Sequence, residues 1–166
     1  SHPEASRFTR PIGLSAEITA AVPPGGRLGV DTEFHSERGY LPELCLLQVY
    51  VEGAGIWLFD PIRDPSFDEI GPLICSKPWL VHAGRQDVLI LSQRWGLLPP
   101  RLMDAQIAAG LVCPDYPLGF GTLLERWLNR SIDKGMALSD WTRRPLRSAQ
   151  VAYASSDVRH LPDLWH

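Results

Sequence analysis

The sequence predicts a single α/β domain in which helices cover a mixed β-sheet, and two features of the chain carry this prediction. Its 166 residues, of which 45% are hydrophobic and 21% charged, have the size and composition of one compact globular domain. Apolar, β-rich runs fill the first part of the chain, and strand-like and helix-like segments alternate in the rest. Consecutive strands followed by such alternation are typical of a mixed sheet flanked by helices.

The β-rich runs begin after a Pro/Gly turn at residues 23–26. Residues 27–34 alternate apolar and polar positions, as a half-buried strand does, and residues 44–51 and 56–59 are further apolar runs. The turn-forming residues 52–55 separate those two runs. Short turns between consecutive strands predict an antiparallel meander.

Helices and short strands alternate after this meander. A helical segment at 66–75, a strand at 79–82 and a helix at 85–95 are predicted in turn, and residues 103–112 fit a strand or a helix equally well. Helix-period apolar residues mark two further helices, at 118–128 and 148–161. No second domain is predicted.

The cellular compartment is predicted from apolar runs and cysteines. No apolar run approaches the roughly 20 residues needed to span a bilayer, and the first residues lack a secretory-signal pattern. We therefore expect a soluble, cytoplasmic protein without a membrane partner. Cys45, Cys75 and Cys113 are widely separated among apolar neighbours, which favours buried reduced thiols over disulfides or zinc ligands.

The formal net charge of -3 is unlike that of a domain that binds nucleic acid through a basic surface alone. An enzyme that binds nucleic acid through divalent metal ions needs several carboxylates, and these lower the net charge without repelling the substrate once metal is bound. The charge therefore disfavours a plain electrostatic binder and leaves a metal-dependent enzyme open.

Asp31 and Glu33 are the first candidate site residues. One residue separates them on a predicted strand, so both side chains point to the same face of the sheet. Two adjacent carboxylates repel each other unless a cation lies between them, and a hard divalent ion is a common solution. A solvated pair at the edge of the sheet explains the spacing equally well.

Asp87 is the second candidate. It follows His82 and a glycine turn, in the first turn of a predicted helix. A carboxylate there is already stabilised by the helix dipole, so a purely structural role remains open. His82 alone is typical of a histidine at the end of a strand.

Tyr153 and Asp157 are the third candidates. They lie four positions apart in a predicted helix, so the phenol and the carboxylate share one helix face. Small residues surround them, which leaves room for a substrate. As an isolated pair, a core tyrosine and a surface aspartate are the simpler interpretation.

Taken in order, these pieces resemble the three motifs of the DEDDy-type 3′-5′ exonuclease family, and the surrounding sequence is similar to that of bacterial ribonuclease D. The motif-like segments are residues 30–34, 82–88 and 153–158, and the resemblance extends over about residues 27–162. It implies a ribonuclease H-like fold. We expect residues 1–26 to be an N-terminal extension and lead-in, and residues 27–166 to be the exonuclease domain.

The resemblance also implies a two-metal mechanism at a site formed by Asp31, Glu33, Asp87, Tyr153 and Asp157. Asp31, Glu33 and Asp157 are expected to hold the first ion. Asp31 would also bridge to the second ion, Asp87 would reach that ion, and Tyr153 would orient the attacking water. Mg²⁺ or Mn²⁺ suits such an all-oxygen site, since no cysteine or histidine cluster favours zinc. The implied substrate is the 3′ end of single-stranded RNA.

Five further residues are candidates for substrate binding: Phe34, His35, Gln48, His82 and Arg144. Aromatic and amide side chains near the site could stack on or hydrogen-bond terminal nucleotides, although core positions would equally explain Phe34 and Gln48. His82 is also a candidate for supporting the metal ligands. Arg144 belongs to a modest excess of basic residues after position 120, which fits a phosphate track or ordinary surface charge.

Two departures from the ribonuclease D pattern affect these expectations. The helical C-terminal domain shared by helicases and ribonuclease D is not present within residues 27–166, so the chain is either a short family member or a fragment. Arg147 stands where the family has a helix-capping Ser or Thr, so Ser148 is expected to cap the last helix instead. A DNA exonuclease of the same family and a catalytically silent nucleic-acid-binding domain remain the alternative functions.

Overall fold

A computed structural model describes residues 6–8, 18, 20–36, 41–133 and 135–166. Much of the predicted lead-in, namely residues 1–5, 9–17 and 19, lies outside the described residues. The described strands are β1 (Ser6–Phe8), β2 (Leu28–His35), β3 (Glu43–Val51), β4 (Gly55–Phe59), β5 (Trp79–Val81) and β6 (Leu102–Asp104). They form one mixed sheet in the order β1-β4-β3-β2-β5-β6.

The helical segments follow the sheet strands along the chain. A 3₁₀ turn (Phe67–Ile70) leads into α1 (Gly71–Ile74), and the other described helices are α2 (Arg85–Trp95), α3 (Ala105–Val112), α4 (Phe120–Leu128), α5 (Ser148–Arg159) and α6 (Leu161–Trp165). In the part of the chain that the structure describes, no helix has the length and apolar character needed to cross a bilayer.

The sheet combines antiparallel and parallel strands as predicted. β2, β3 and β4 form the antiparallel meander, with Leu28 opposite Val51 and Val51 opposite Gly55. β5 and β6 then add in parallel on the other side of β2. Strand β1 pairs in parallel with β4 and was not predicted, because a three-residue strand shows too little alternation to be recognised.

Both faces of the sheet are buried beneath helices. Leu91 of α2 belongs to the apolar cluster on one face together with Val30. Ala154 and Val158 of α5 belong to the cluster on the other face together with Leu46, which lies opposite Glu33. Because strand residues alternate between faces, Asp31 and Glu33 lie on the side that α5 covers.

Gly29 allows α5 to approach β2 closely. A Cβ atom at this position would lie 3.1 Å from the Cβ of Tyr50 and 3.4 Å from the carbonyl oxygen of Val158. A side chain would be crowded against Tyr50 on the neighbouring strand and would touch the end of α5. The end of α5 thus lies directly against β2, which places Asp157, one residue before Val158, near the carboxylates of β2.

Residues 103–112, whose sequence fitted a strand and a helix equally well, contain the end of a strand followed by a helix. Strand β6 ends at Asp104, and α3 begins at Ala105. The Asp104 side chain accepts hydrogen bonds from the backbone N–H groups of Gln106 and Ile107. A capping carboxylate thus divides a continuous apolar run into a strand and a helix.

The prediction that Ser148 caps α5 is wrong. Arg147 is the N-cap residue, and Ser148 is already the first residue of the helix. The backbone N–H of Arg147 donates to Oε1 of Gln150 over 3.0 Å. Gln150 can reach back because its Nε2 is fixed by hydrogen bonds of 3.1 Å to the Ser139 hydroxyl and the Asp140 carbonyl.

All three cysteines are free thiols, as predicted. Cys45 and Cys75 are buried, whereas Cys113 is half-buried. Cys113 is more exposed than expected because it lies just after α3, at the edge of a smaller apolar cluster formed by α3, α4 and α6.

Candidate active site

A cleft with a volume of about 390 Å³ lies between strand β2, the residue after β5, the start of α4 and helices α5 and α6. Four of the five predicted catalytic residues line it: Asp31, Glu33, Tyr153 and Asp157. Its volume is within the range of pockets that enclose small-molecule-sized ligands. The third motif-like segment thus meets the first across the cleft, although about 120 positions separate them in sequence.

Three carboxylates converge in this cleft. One oxygen each from Asp31, Glu33 and Asp157 can be chosen so that all three lie within 4.8 Å of one another. Strand alternation places the first two on the α5 side of the sheet, and the close contact at Gly29 brings in the third. The donor set is entirely oxygen, which suits hard cations such as Mg²⁺ and Mn²⁺.

The pKa values of these carboxyl groups are raised. Burial and then repulsion by the neighbouring carboxylates hold the pKa of Asp31 well above its ordinary value. Burial, with repulsion by Asp157 and Asp87, raises the pKa of Glu33 to about 8. Burial raises the pKa of Asp157 to about 7, against the opposing effect of a hydrogen bond from Tyr153. A divalent cation would compensate this concentration of negative charge and displace the retained protons.

Asp87 lies near these three carboxylates but is not one of the three whose oxygens lie within 4.8 Å of one another. It is in the first turn of α2, and only 6% of its surface is exposed. Its Oδ1 accepts a 2.5 Å hydrogen bond from the hydroxyl of Thr32. Burial raises the pKa of Asp87, and this hydrogen bond opposes the rise. Its charge nevertheless reaches Asp31 and Glu33, because it raises the pKa of both.

Tyr153 is held at the cleft by its ring and its helix. The ring centroid lies 6.1 Å from that of the buried Trp141. Burial, followed by the charges of Asp157 and Glu33, raises the pKa of Tyr153 above its ordinary value. The phenol therefore stays protonated and can donate a hydrogen bond in the cleft.

His82 and Phe120 form an aromatic contact in the lining of the cleft. Their ring centroids are 5.4 Å apart with the planes tilted by 57°. Burial lowers the pKa of His82, which favours the neutral imidazole. His82 is thus at the cleft, as predicted. Phe120 was missed, because an aromatic residue at the start of a helix carries no sequence signal of its role.

The four other predicted substrate contacts lie outside the cleft lining. Phe34 packs against the core cluster on the α2 side, and His35 is exposed at the end of β2. Gln48 lies opposite Asp31 but is fully buried at 0% exposure, so it cannot touch a nucleotide in this arrangement. Neither of its amide atoms has a hydrogen-bond partner among the described residues.

Arg144 is engaged in a buried network instead of facing the cleft. Its guanidinium pairs with both carboxylate oxygens of Asp60, over 2.6 and 2.8 Å. It also donates to the backbone carbonyls of Cys45, Trp141 and Arg143. The contacts show that Arg144 fastens the loop before α5 to the sheet.

Comparison with known proteins identifies the class to which this fold and acidic cleft belong. The family model described as 3′-5′ exonuclease matches residues 14–166. This chain therefore belongs to the 3′-5′ exonuclease family.

Within that family, this chain is similar to ribonuclease D. Ribonuclease D of Xanthomonas oryzae pv. oryzae is 36% identical over 162 residues, which cover 93% of this chain and 42% of the relative. The crystal structure of Escherichia coli RNase D, an exoribonuclease involved in structured RNA processing, matches with a TM-score of 0.82 and 29% identity. That match covers 98% of this chain and 43% of the other.

A second similar structure is Brucella melitensis NrnC with bound Mg²⁺, with a TM-score of 0.76 and 24% identity. It covers 97% of this chain and 78% of that one. The fold is thus the ribonuclease H-like fold of these exonuclease domains. This chain spans about two fifths of the length of the ribonuclease D proteins it matches.

Proposed function

We propose that this chain is the catalytic domain of a metal-dependent exoribonuclease that removes mononucleotides from the 3′ ends of single-stranded RNA. One observation carries the proposal: three carboxylates present oxygens within 4.8 Å of one another in a cleft that Tyr153 also lines. The similarity to E. coli RNase D, described as an exoribonuclease, favours RNA as the substrate.

In this proposal Asp31, Glu33 and Asp157 would hold one divalent cation, and Asp31 and Asp87 would contribute to holding a second. Mg²⁺ or Mn²⁺ at such a site supplies activation of water and neutralisation of charge on the phosphate and the leaving oxygen. The raised pKa values of the carboxyl groups support this assignment, because burial and neighbouring like charges raise them and a bound cation would offset both effects.

Tyr153 orients the attacking water in this proposal. Its phenol stays protonated in the cleft and can donate a hydrogen bond to the water, while Trp141 limits the movement of its ring. The aromatic contact between His82 and Phe120 offers apolar surface to the terminal nucleotide, since bases stack on such faces.

The proposal is tested by a time course on 5′-labelled single-stranded RNA and DNA of matched sequence, with Mg²⁺, Mn²⁺ or a chelator. We expect RNA to shorten one nucleotide at a time to mononucleotides, only with metal and only from a free 3′ hydroxyl. Fragments released from a circular RNA would indicate an endonuclease. Preferential shortening of DNA would assign the DNA exonuclease alternative, and binding without cleavage would assign the silent domain.

Replacing Tyr153 by Phe is expected to lower the single-turnover rate by roughly ten- to a thousandfold, because it removes one water-orienting hydroxyl and no metal ligand. Metal binding, measured as the rise in melting temperature with Mg²⁺, is expected to remain. Asp115→Asn, which alters an exposed carboxylate paired with Arg126 outside the cleft lining, is the control. A fully active Tyr153→Phe variant would remove this hydroxyl from the mechanism.

A further inference from the structure

We propose that Thr32 and Asp104 are positioning residues that together fix Asp87 in the orientation needed to hold a cation. This inference rests on the proposed function, because it takes Asp87 to be a metal ligand. Two contacts carry it: one acts on the carboxylate of Asp87, and the other acts on the turn that begins its helix.

The first contact fixes the carboxylate itself. The hydroxyl of Thr32 donates to Oδ1 of Asp87 over 2.5 Å, between residues 55 positions apart in sequence. Both residues are buried, at 5% and 6% exposure. Thr32 faces the α2 side of the sheet, whereas Asp31 and Glu33 on either side of it face α5. One short stretch of β2 therefore supplies two carboxylates to the cleft and also orients a third.

The second contact fixes the turn that precedes α2. Asp104 accepts the backbone N–H of Ala83 at Oδ1 over 3.0 Å and that of Gly84 at Oδ2 over 2.9 Å. The same Oδ1 accepts the N–H of Gln106 over 2.9 Å at the start of α3. One carboxylate thus joins the turn before α2 to the first turn of α3. Hydrogen bonds from backbone N–H groups to a charged acceptor are among the stronger ones in proteins.

The conformation of this turn explains why it needs such support. Ala83 has a φ of +54°, a left-handed conformation that non-glycine residues adopt at an energetic cost. A Cβ on Gly84 would lie 2.4 Å from Cγ2 of Val81, so the chain passes too close to β5 for any side chain. The turn sets where α2 begins, and Asp87 follows Gly84 by three positions. Loss of the Asp104 contacts would therefore move the carboxylate of Asp87.

The test measures Mg²⁺ binding without nucleic acid, from the rise in melting temperature over a Mg²⁺ titration. Thr32→Val keeps the shape of the side chain and removes the hydroxyl. We expect it to weaken Mg²⁺ binding by about 10- to 100-fold, the usual effect of losing a group that orients a metal ligand. Thr32→Ser retains the hydroxyl and is expected to restore binding. Asp104→Asn, which replaces one accepting oxygen by an amide, is expected to weaken binding in the same direction.

Asp64→Asn is the matched control for Asp104. The Asp64 carboxylate also accepts a backbone N–H and a hydroxyl, but both come from Ser66 and neither comes from the turn before α2. Its replacement is expected to leave the Mg²⁺ titration unchanged. Melting temperatures in chelator report folding separately, and if Thr32→Val does not fold, Asp104→Asn decides the matter.

The outcomes separate this inference from the proposed function. If the parent shows no Mg²⁺-induced shift, the metal site of the proposed function is wrong. If Asp87→Asn titrates with Mg²⁺ like the parent, Asp87 is not a metal ligand and the inference falls, while the cation assigned to Asp31, Glu33 and Asp157 is unaffected. If the parent responds, Asp87→Asn binds Mg²⁺ more weakly than the parent, and both Thr32→Val and Asp104→Asn titrate like the parent, the positioning role is overturned while the proposed function stands. If Thr32→Ser binds Mg²⁺ as weakly as Thr32→Val does, the role of the hydroxyl is also overturned.

Discussion

Replacing Asp31 by Asn is expected to abolish hydrolysis while stabilising the metal-free protein by about 0.5–2 kcal/mol, the usual scale on which functional sites reduce stability. Asp31 is half-buried, and the neighbouring carboxylates repel its charge. The amide has nearly the same volume and removes that repulsion. It also removes the carboxylate that the proposal assigns to both cations, so activity is lost although the fold is strengthened.

The stabilisation is expected to increase with pH. Glu33 and Asp157 have folded-state pKa values of about 8 and about 7, above those of unfolded carboxyl groups. Between about pH 4 and pH 8 the folded parent therefore binds more protons than the unfolded chain, so its stability falls as pH rises. The pKa of Asp31 is raised in the same way, so Asp31 contributes to this fall in stability, and Asp31→Asn removes that contribution. Its advantage over the parent is expected to be larger at pH 8 than at pH 5.

Thermal melts of the parent and Asp31→Asn in chelator and in Mg²⁺, at both pH values, measure these effects. Mg²⁺ is expected to raise the melting temperature of the parent more than that of the variant, because a ligand that binds only the folded state stabilises it by mass action. Asp115→Asn, a change of the same type at an exposed ion pair, serves as the control. A chelated Asp31→Asn protein that melts well below the chelated parent would make Asp31 a structural residue and contradict the proposed site.

Replacing Arg144 by Met is expected to destabilise the fold by about 3–5 kcal/mol, because it leaves the buried carboxylate of Asp60 without its partner. The side chains of Arg144 and Asp60 are 7% and 16% exposed. Arg144 also donates to the backbone carbonyls of Cys45, Trp141 and Arg143. Both the charge and these hydrogen bonds are therefore lost together.

Urea unfolding at neutral pH measures the loss. Arg126→Met is the control, since the Arg126–Asp115 pair is exposed and such pairs contribute little to stability.

The pKa of Asp60 is lowered because Arg144 outweighs the effect of burial. The stability that the Asp60–Arg144 pair contributes is thus present above the pKa of an unfolded aspartate, and it is lost as pH falls through the folded-state pKa of Asp60. The difference between parent and Arg144→Met should accordingly shrink in acid, and near-equal stabilities at neutral pH would refute the structural role of this pair.

The sequence by itself determined the features that depend on local periodicity. Alternation along β2 put Asp31 and Glu33 on one face, and helical spacing put Tyr153 beside Asp157. The order of strands and helices gave the mixed sheet with its meander. These features follow from residues two to four positions apart, whose relative directions are set by the backbone geometry of a strand or a helix. The resemblance to the exonuclease family added the expectation that the three motifs meet, and the fold brings the first and third together at the cleft.

Only the tertiary structure decided what each of the remaining polar residues contacts. Gln48 is fully buried and Arg144 is paired with Asp60, 84 positions away, so neither lines the cleft where both were expected to bind substrate. The Thr32 hydroxyl reaches Asp87 from 55 positions away, and nothing in the sequence near either residue signals that contact. Such contacts depend on how sheet, helices and loops close on one another. Residue type alone leaves an arginine or a glutamine free to serve the core, an ion pair or a ligand, and only the position of its partners in three dimensions selects among them.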